Sequence, residues 1–180
     1  MRQLFFRKLI DILQVKTPGL FKNIELQILA NATALSFNMP SVQIWYKPYK
    51  QALSQYRKYT VKCMEKGDIN PERIYDTAFK TGSIVRKVTG FANKEDLEKL
   101  VFYLYKNIKI TMSGDLPGEI TVSRCYFSRA YSPSQCRLMS IMDSGIVAGI
   151  WGGGSLKFTR RITEGCKNCK ACFKNQGQRD

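Results

Sequence analysis

The hydrophobic period of this chain changes near residue 107, and that change constrains its fold more than any other feature. Before it, apolar residues recur at helical spacing; after it, short alternating runs take over. Residues 107–112 (NIKITM) and 119–124 (EITVSR) read as strands joined by the turn SGDLPG. Residues 134–151 read as a helix with Leu138, Ile141, Met142 and Ile146 on one side, and 155–162 (SLKFTRRI) and 170–174 read as two further strands. Helices followed by strand, strand, helix, strand, strand describe an α+β class: N-terminal helices, then a small antiparallel sheet packed with helices.

The helices before the change can be placed from their breakers. Leu4, Phe5, Leu9, Ile12 and Leu13 form an apolar stripe that Thr17-Pro18-Gly19 ends. A second helix spans about 20–37 and stops near Met39-Pro40. A third, over about 41–65, contains Pro48 and so starts late or kinks there. Its aromatic residues Trp45, Tyr46, Tyr49, Tyr56 and Tyr59 are expected to pack against neighbouring helices, with base stacking as the lesser alternative. Asn70-Pro71 caps the next helix, with Ile74, Ala78, Val85 and Val88 on its buried face and Gly90 at its end. Asn93 with Asp96 caps the helix that carries Leu97, Leu100, Val101 and Leu104. Gly145 and Gly149, four residues apart, predict a smooth helix face where a second backbone approaches closely, within the chain or across a dimer. The expected organisation is a helical region over 1–66, an α+β domain over 67–175 and a tail over 176–180.

Composition narrows the chemistry. The 180 residues suffice to bury a core. No apolar run approaches the length that crosses a bilayer, and the first 16 residues read as an amphipathic helix of the mature protein, so a cytoplasmic protein is expected. There is no histidine, which removes the usual proton shuttle near neutrality and the commonest nitrogen ligand for a metal. The net charge is +15, with 10 basic against 3 acidic residues in 1–65, 9 against 8 in 66–120, and 10 against 3 in 121–180. Such a field attracts anionic partners, although scattered charges of this kind are also ordinary solvated surface.

Five of the six cysteines lie in the last 56 residues: Cys125, Cys136, Cys166, Cys169 and Cys172. Cys63 stands alone in a helix, as a small buried apolar residue does. Thiolates at three-residue spacing converge on one soft metal or iron–sulfur cluster when the backbone turns around it. A ferredoxin-type run continues to a fourth cysteine, whereas here Phe173 and Lys174 follow; Cys125 or Cys136 would complete the set. Zinc is equally permitted by the residue type. Cys136 falls in the first turn of its helix beside Arg137, and both features favour a thiolate.

The run from Ile74 to Phe173 resembles the 4-vinyl reductase domain family, which shares an α+β fold with TRAPP-type trafficking subunits. The resemblance lies in IYDTAFKTGSIV, VSRCYFS, CRLMSIMDSGIVAGI, LKFTRRITEG and CKACF. The same half also resembles the L-2-amino-thiazoline-4-carboxylate hydrolase family, through Cys136 with Asp143, and Arg160-Arg161 with Glu164-Gly165. The first resemblance implies a small-molecule-binding or sensory module, often a homodimer, with Cys125, Cys136, Cys166 and Cys172 at the positions where some members hold zinc. Cys169 is additional to that pattern and favours a cluster.

Three functions follow as expectations. The first is a small-ligand-binding domain with a cysteine-held zinc or iron–sulfur site, in which Arg124, Arg129 and Arg161 offer contacts to a small anionic molecule. The second is a hydrolase that opens a small cyclic amino acid derivative, with Cys136 as nucleophile and Asp143 or Glu164 as base. Asp143 lies about two turns after Cys136, roughly 10 Å along the helix, so a direct proton relay between them is not expected. The third, less favoured, is nucleic-acid binding with a structural zinc knuckle.

Overall fold

The computed structural model describes residues 18–175. The expected stripe from Leu4 to Leu13 and the tail after residue 175 lie outside the described residues. Four helices lead: α1 (Pro18–Ser36), α2 (Tyr49–Lys66), α3 (Pro71–Thr89) and α4 (Lys94–Asn107). A hairpin of β1 (Ile110–Gly114) and β2 (Gly118–Cys125) follows, then α5 (Pro133–Trp151), β3 (Ser155–Arg160) and β4 (Cys169–Lys174). The class is α+β, in the expected order.

Local chemistry accounts for most boundaries. α2 begins directly after Pro48, which blocks an earlier start. Asn70 Oδ1 accepts the Arg73 N–H at 3.0 Å, Pro71 opens α3, and Gly90 ends it at φ 69. Asn93 caps α4 through the Asp96 N–H at 2.8 Å. β1 begins three residues later than the sequence pattern indicates. Asn107 still belongs to α4, and Lys109 turns the chain at φ 63, a left-handed conformation uncommon for a residue with a side chain.

The four strands form one antiparallel sheet in the order β1-β2-β4-β3. β2 and β4 are central, with Ile120 opposite Ala171 and Gly118 opposite Phe173. α5 packs on α3 almost backbone to backbone. A Cβ at Gly149 would lie 2.1 Å from the Phe79 carbonyl oxygen, and one at Gly82 would lie 2.2 Å from that of Ile146. The glycine face expected at Gly145 and Gly149 is therefore used within the chain. On the sheet side, Trp151 meets Phe173 edge to face at 5.7 Å.

The main core joins Val147, Ile150, Ile120 and Phe173 to Phe37 and Cys63, drawing from residues on both sides of position 66. A second cluster links Leu26, Ala30, Ala52, Leu53 and Tyr56 to Phe127, just beyond β2. Two expectations are corrected. Val88 is 55% exposed rather than buried, because α3 turns that side outward together with Ile84. Tyr56 and Tyr59 are buried as expected, but Trp45 and Tyr46 are exposed, since they precede α2 and lie outside its packed face.

Candidate functional site

The residues singled out in the sequence fall mostly at the start of α5 and the turn facing it. Ser132 caps α5 with a capping box. Its Oγ accepts the Gln135 N–H at 3.2 Å, and Gln135 Oε1 accepts the Ser132 N–H at 2.9 Å. Cys136 follows in the first turn, and Asp143 lies two turns on. β3 ends at Arg160, and a short 3-10 turn over Ile162–Glu164 closes at Gly165 before β4 begins at Cys169. This return brings Arg161 and Cys169 toward Cys136 and Asp143, which act electrostatically on one another, while Cys166 acts on Cys169 and Glu164 pairs with Arg137 and Arg161.

The charged members of this group are committed to each other. Glu164 Oε1 is 2.5 Å from Arg137 Nη1 and 3.7 Å from Arg161 Nη1. Arg161 Nε donates to Ser140 Oγ at 3.3 Å, and its guanidinium lies 5.2 Å from the Phe158 ring centroid. Asp143 accepts the Tyr105 hydroxyl at 2.8 Å, and burial pushes its carboxyl up to about 6. Burial likewise raises the thiols of Cys136 and Cys169, and that of Cys125 to about 12. Desolvation outweighs the nearby Thr163 hydroxyl and Arg161 at Cys136, while Arg137 is turned to Glu164. All three thiols are therefore protonated at neutral pH.

The three-residue cysteine spacing falls partly on a strand. Cys169, Ala171 and Phe173 face the core, whereas Cys172 lies on the other face of β4 with Lys170. Cys166 sits in the turn before the strand. Among the described residues, no three histidine, cysteine, aspartate or glutamate side chains form a group that could hold a metal ion.

Arg129 is exposed in the turn after β2, but Arg124 belongs to a different place. A cavity of about 430 Å³ opens between the start of α2 and the end of β2, lined by Tyr49, Lys50, Leu53, Lys109, Arg124 and Tyr126. Tyr49 and Lys50 are the first two residues of α2, and Leu53 follows one turn later, nearly buried, as the floor. Arg124 and Tyr126 flank Cys125 at the end of β2. Two hydrogen bonds lock the walls together: the Tyr49 hydroxyl donates to the Asn107 carbonyl, and the Tyr126 N–H to the Lys109 carbonyl at 3.2 Å.

The electrostatics of this cavity are one-sided. Among the described residues, Lys50, Lys109 and Arg124 form no ion pair. Lys22 and Lys109 lie 5.5 and 5.8 Å from the Tyr49 ring centroid, and Arg57 lies 4.6 Å from that of Tyr126. No acidic residue occupies the first turn of α2, so the positive end of its dipole is uncompensated there. The acid behind the wall, Glu25, is buried against Asn107 and pushed up to about 8, which keeps it neutral at pH 7.

Of the sequence candidates only Arg124 lines this cavity; Tyr49, Lys50, Leu53, Lys109 and Tyr126 were not among them. Comparison with protein-family models, with curated proteins and with solved structures finds no match for this chain.

Proposed function

We propose that this chain is a binding module for a small anion with an apolar or aromatic body, held in the cavity between α2 and the end of β2. The observation that carries this reading is three cations without carboxylate partners among the described residues, around an apolar floor, in a cavity whose volume suits a small molecule. Cations unpaired among the described residues are available to an anion. The resemblance to vinyl-reductase domains, with its TRAPP-like fold and small-molecule-binding role, supports the same reading, and a dimeric assembly belongs to it as a further proposal.

Titration calorimetry with a naphthalene sulfonate and with inorganic pyrophosphate tests it. Saturable binding of the sulfonate is expected, weakened about tenfold or more by Arg124→Glu or Lys109→Glu, as befits loss of a charge-assisted contact. Unchanged affinity in both variants, or no binding at low salt, overturns it.

A further inference from the structure

The cavity is one end of a longer surface. Just ahead of Tyr49, the connection from α1 to α2 turns Trp45 and Tyr46 outward, 50% and 61% exposed, with ring centroids 6.0 Å apart and edge to face. Lys47 Nζ lies 5.1 Å from the Tyr46 ring centroid. This connection is pinned, not loose. Asn23 Nδ2 donates to the carbonyls of Trp45 and Lys47 at 3.1 and 2.5 Å, and Gln27 Oε1 accepts the Ile44 N–H at 2.7 Å. Two large rings are thus held in solvent by a fixed backbone, where burial would otherwise be favoured. Tyr46 and Lys47 lead within three residues into Tyr49 and Lys50, which share the cavity with Lys109, Arg124 and Tyr126.

We propose that this surface binds single-stranded nucleic acid without sequence preference, its phosphates on Lys50, Lys109 and Arg124 and its bases against Tyr46 and Trp45. The inference rests on the cavity being an anion site and extends it. A free small anion fills the cavity alone and leaves Trp45, Tyr46 and Lys47 unused. A single strand carries base faces beside charged phosphates, and exposed rings beside a group of cations suit it for that reason.

Fluorescence anisotropy with a labelled oligothymidylate of about ten nucleotides, within the usual site sizes, tests the proposal. The oligonucleotide binds at least about tenfold more tightly than thymidine monophosphate, because several contacts act together. Lys109→Gln and Arg124→Gln each flatten the dependence of log affinity on log salt by about 0.7. Trp45→Ala and Tyr46→Ala each weaken the oligonucleotide about fivefold or more and leave naphthalene sulfonate binding unchanged. Both rings are exposed, so these variants keep the wild-type circular dichroism.

The proposal is overturned if Lys157→Gln and Lys167→Gln, at exposed positions on and beyond the far edge of the sheet, cost as much as the surface variants. It is also overturned if polyglutamate binds as tightly as the oligonucleotide, or if the monophosphate binds as tightly. Should the sulfonate still bind in those cases, the anion site stands without the nucleic acid. If neither ligand binds, both readings fall.

Discussion

Replacing Glu25 by glutamine should stabilise this protein by an amount that depends on pH. Glu25 is 7% exposed; its Oε2 accepts the Asn107 Nδ2–H at 2.8 Å, and its Oε1 has no partner among the described residues. Burial raises its pKa from 4.5 to about 8, against smaller lowering effects of Asn107 and Lys22. A carboxyl with a raised pKa holds its proton in the folded state after the unfolded chain has lost it. Its contribution to stability is therefore full below pH 4.5 and declines as pH rises toward 8, where it levels off. At 1.36 kcal/mol per unit, the loss is about 3 kcal/mol at pH 7 and at most about 5 kcal/mol at the plateau.

The glutamine side chain of Glu25→Gln has the same shape, can still accept from Asn107, and has no charge to bury. Urea denaturation of wild type and Glu25→Gln in steps from about pH 4 to pH 9 should show nearly equal stabilities at the acid end. The gap then opens steadily in favour of the variant. Subtraction removes Asp143, whose raised pKa is common to both proteins. A stability difference that is the same at every pH, or largest at pH 4, refutes the reasoning. The same titration bears on binding. A Glu25 charge forming near pH 8 beside Tyr49 opposes an anion in the cavity, so affinity should fall there in wild type and not in the variant.

Lys109→Gly relieves the left-handed backbone at φ 63 and should raise stability by about 1 kcal/mol while weakening anion binding, measurable by paired denaturation and calorimetry. Gly149→Ala forces a Cβ against the Phe79 carbonyl oxygen on α3 and should cost about 1–3 kcal/mol in urea denaturation. The half-buried Cys136 thiol should react with iodoacetamide more slowly at pH 7 than a free cysteine, its rate still rising above pH 9; fast alkylation at neutral pH would show an activated thiolate instead.

The parts of this fold that were legible in the sequence are those whose cause is local. Asn70-Pro71, Gly90, and Asn93 with Asp96 mark helix ends through contacts within four residues, and each end lies where that chemistry puts it. The alternation in residues 119–124 and 170–174 marked the two central strands for the same reason. Val88 shows the limit of periodicity, since a helical stripe does not say which part of it a neighbour covers. The cysteine run shows another: a spacing of three converges in a turn but divides between two faces on a strand, as Cys169 and Cys172 do.

The cavity was largely illegible because it is tertiary. Tyr49 and Arg124 are 75 residues apart in sequence and meet only because Leu53 and Phe127 share a hydrophobic cluster. Lys109 carries a local signal, a left-handed turn where glycine is the usual residue, but it is visible only in the backbone.

The central claim is that this cavity is an anion site. A titration of isotopically labelled protein with naphthalene sulfonate, followed by amide NMR shifts, tests it most directly. Saturable shifts should centre on Tyr49 to Leu53, Lys109 and Arg124 to Tyr126, and should vanish in Arg124→Glu. Saturable shifts centred instead on Cys136, Arg161 and Cys169, or no saturable shifts at all, would contradict it.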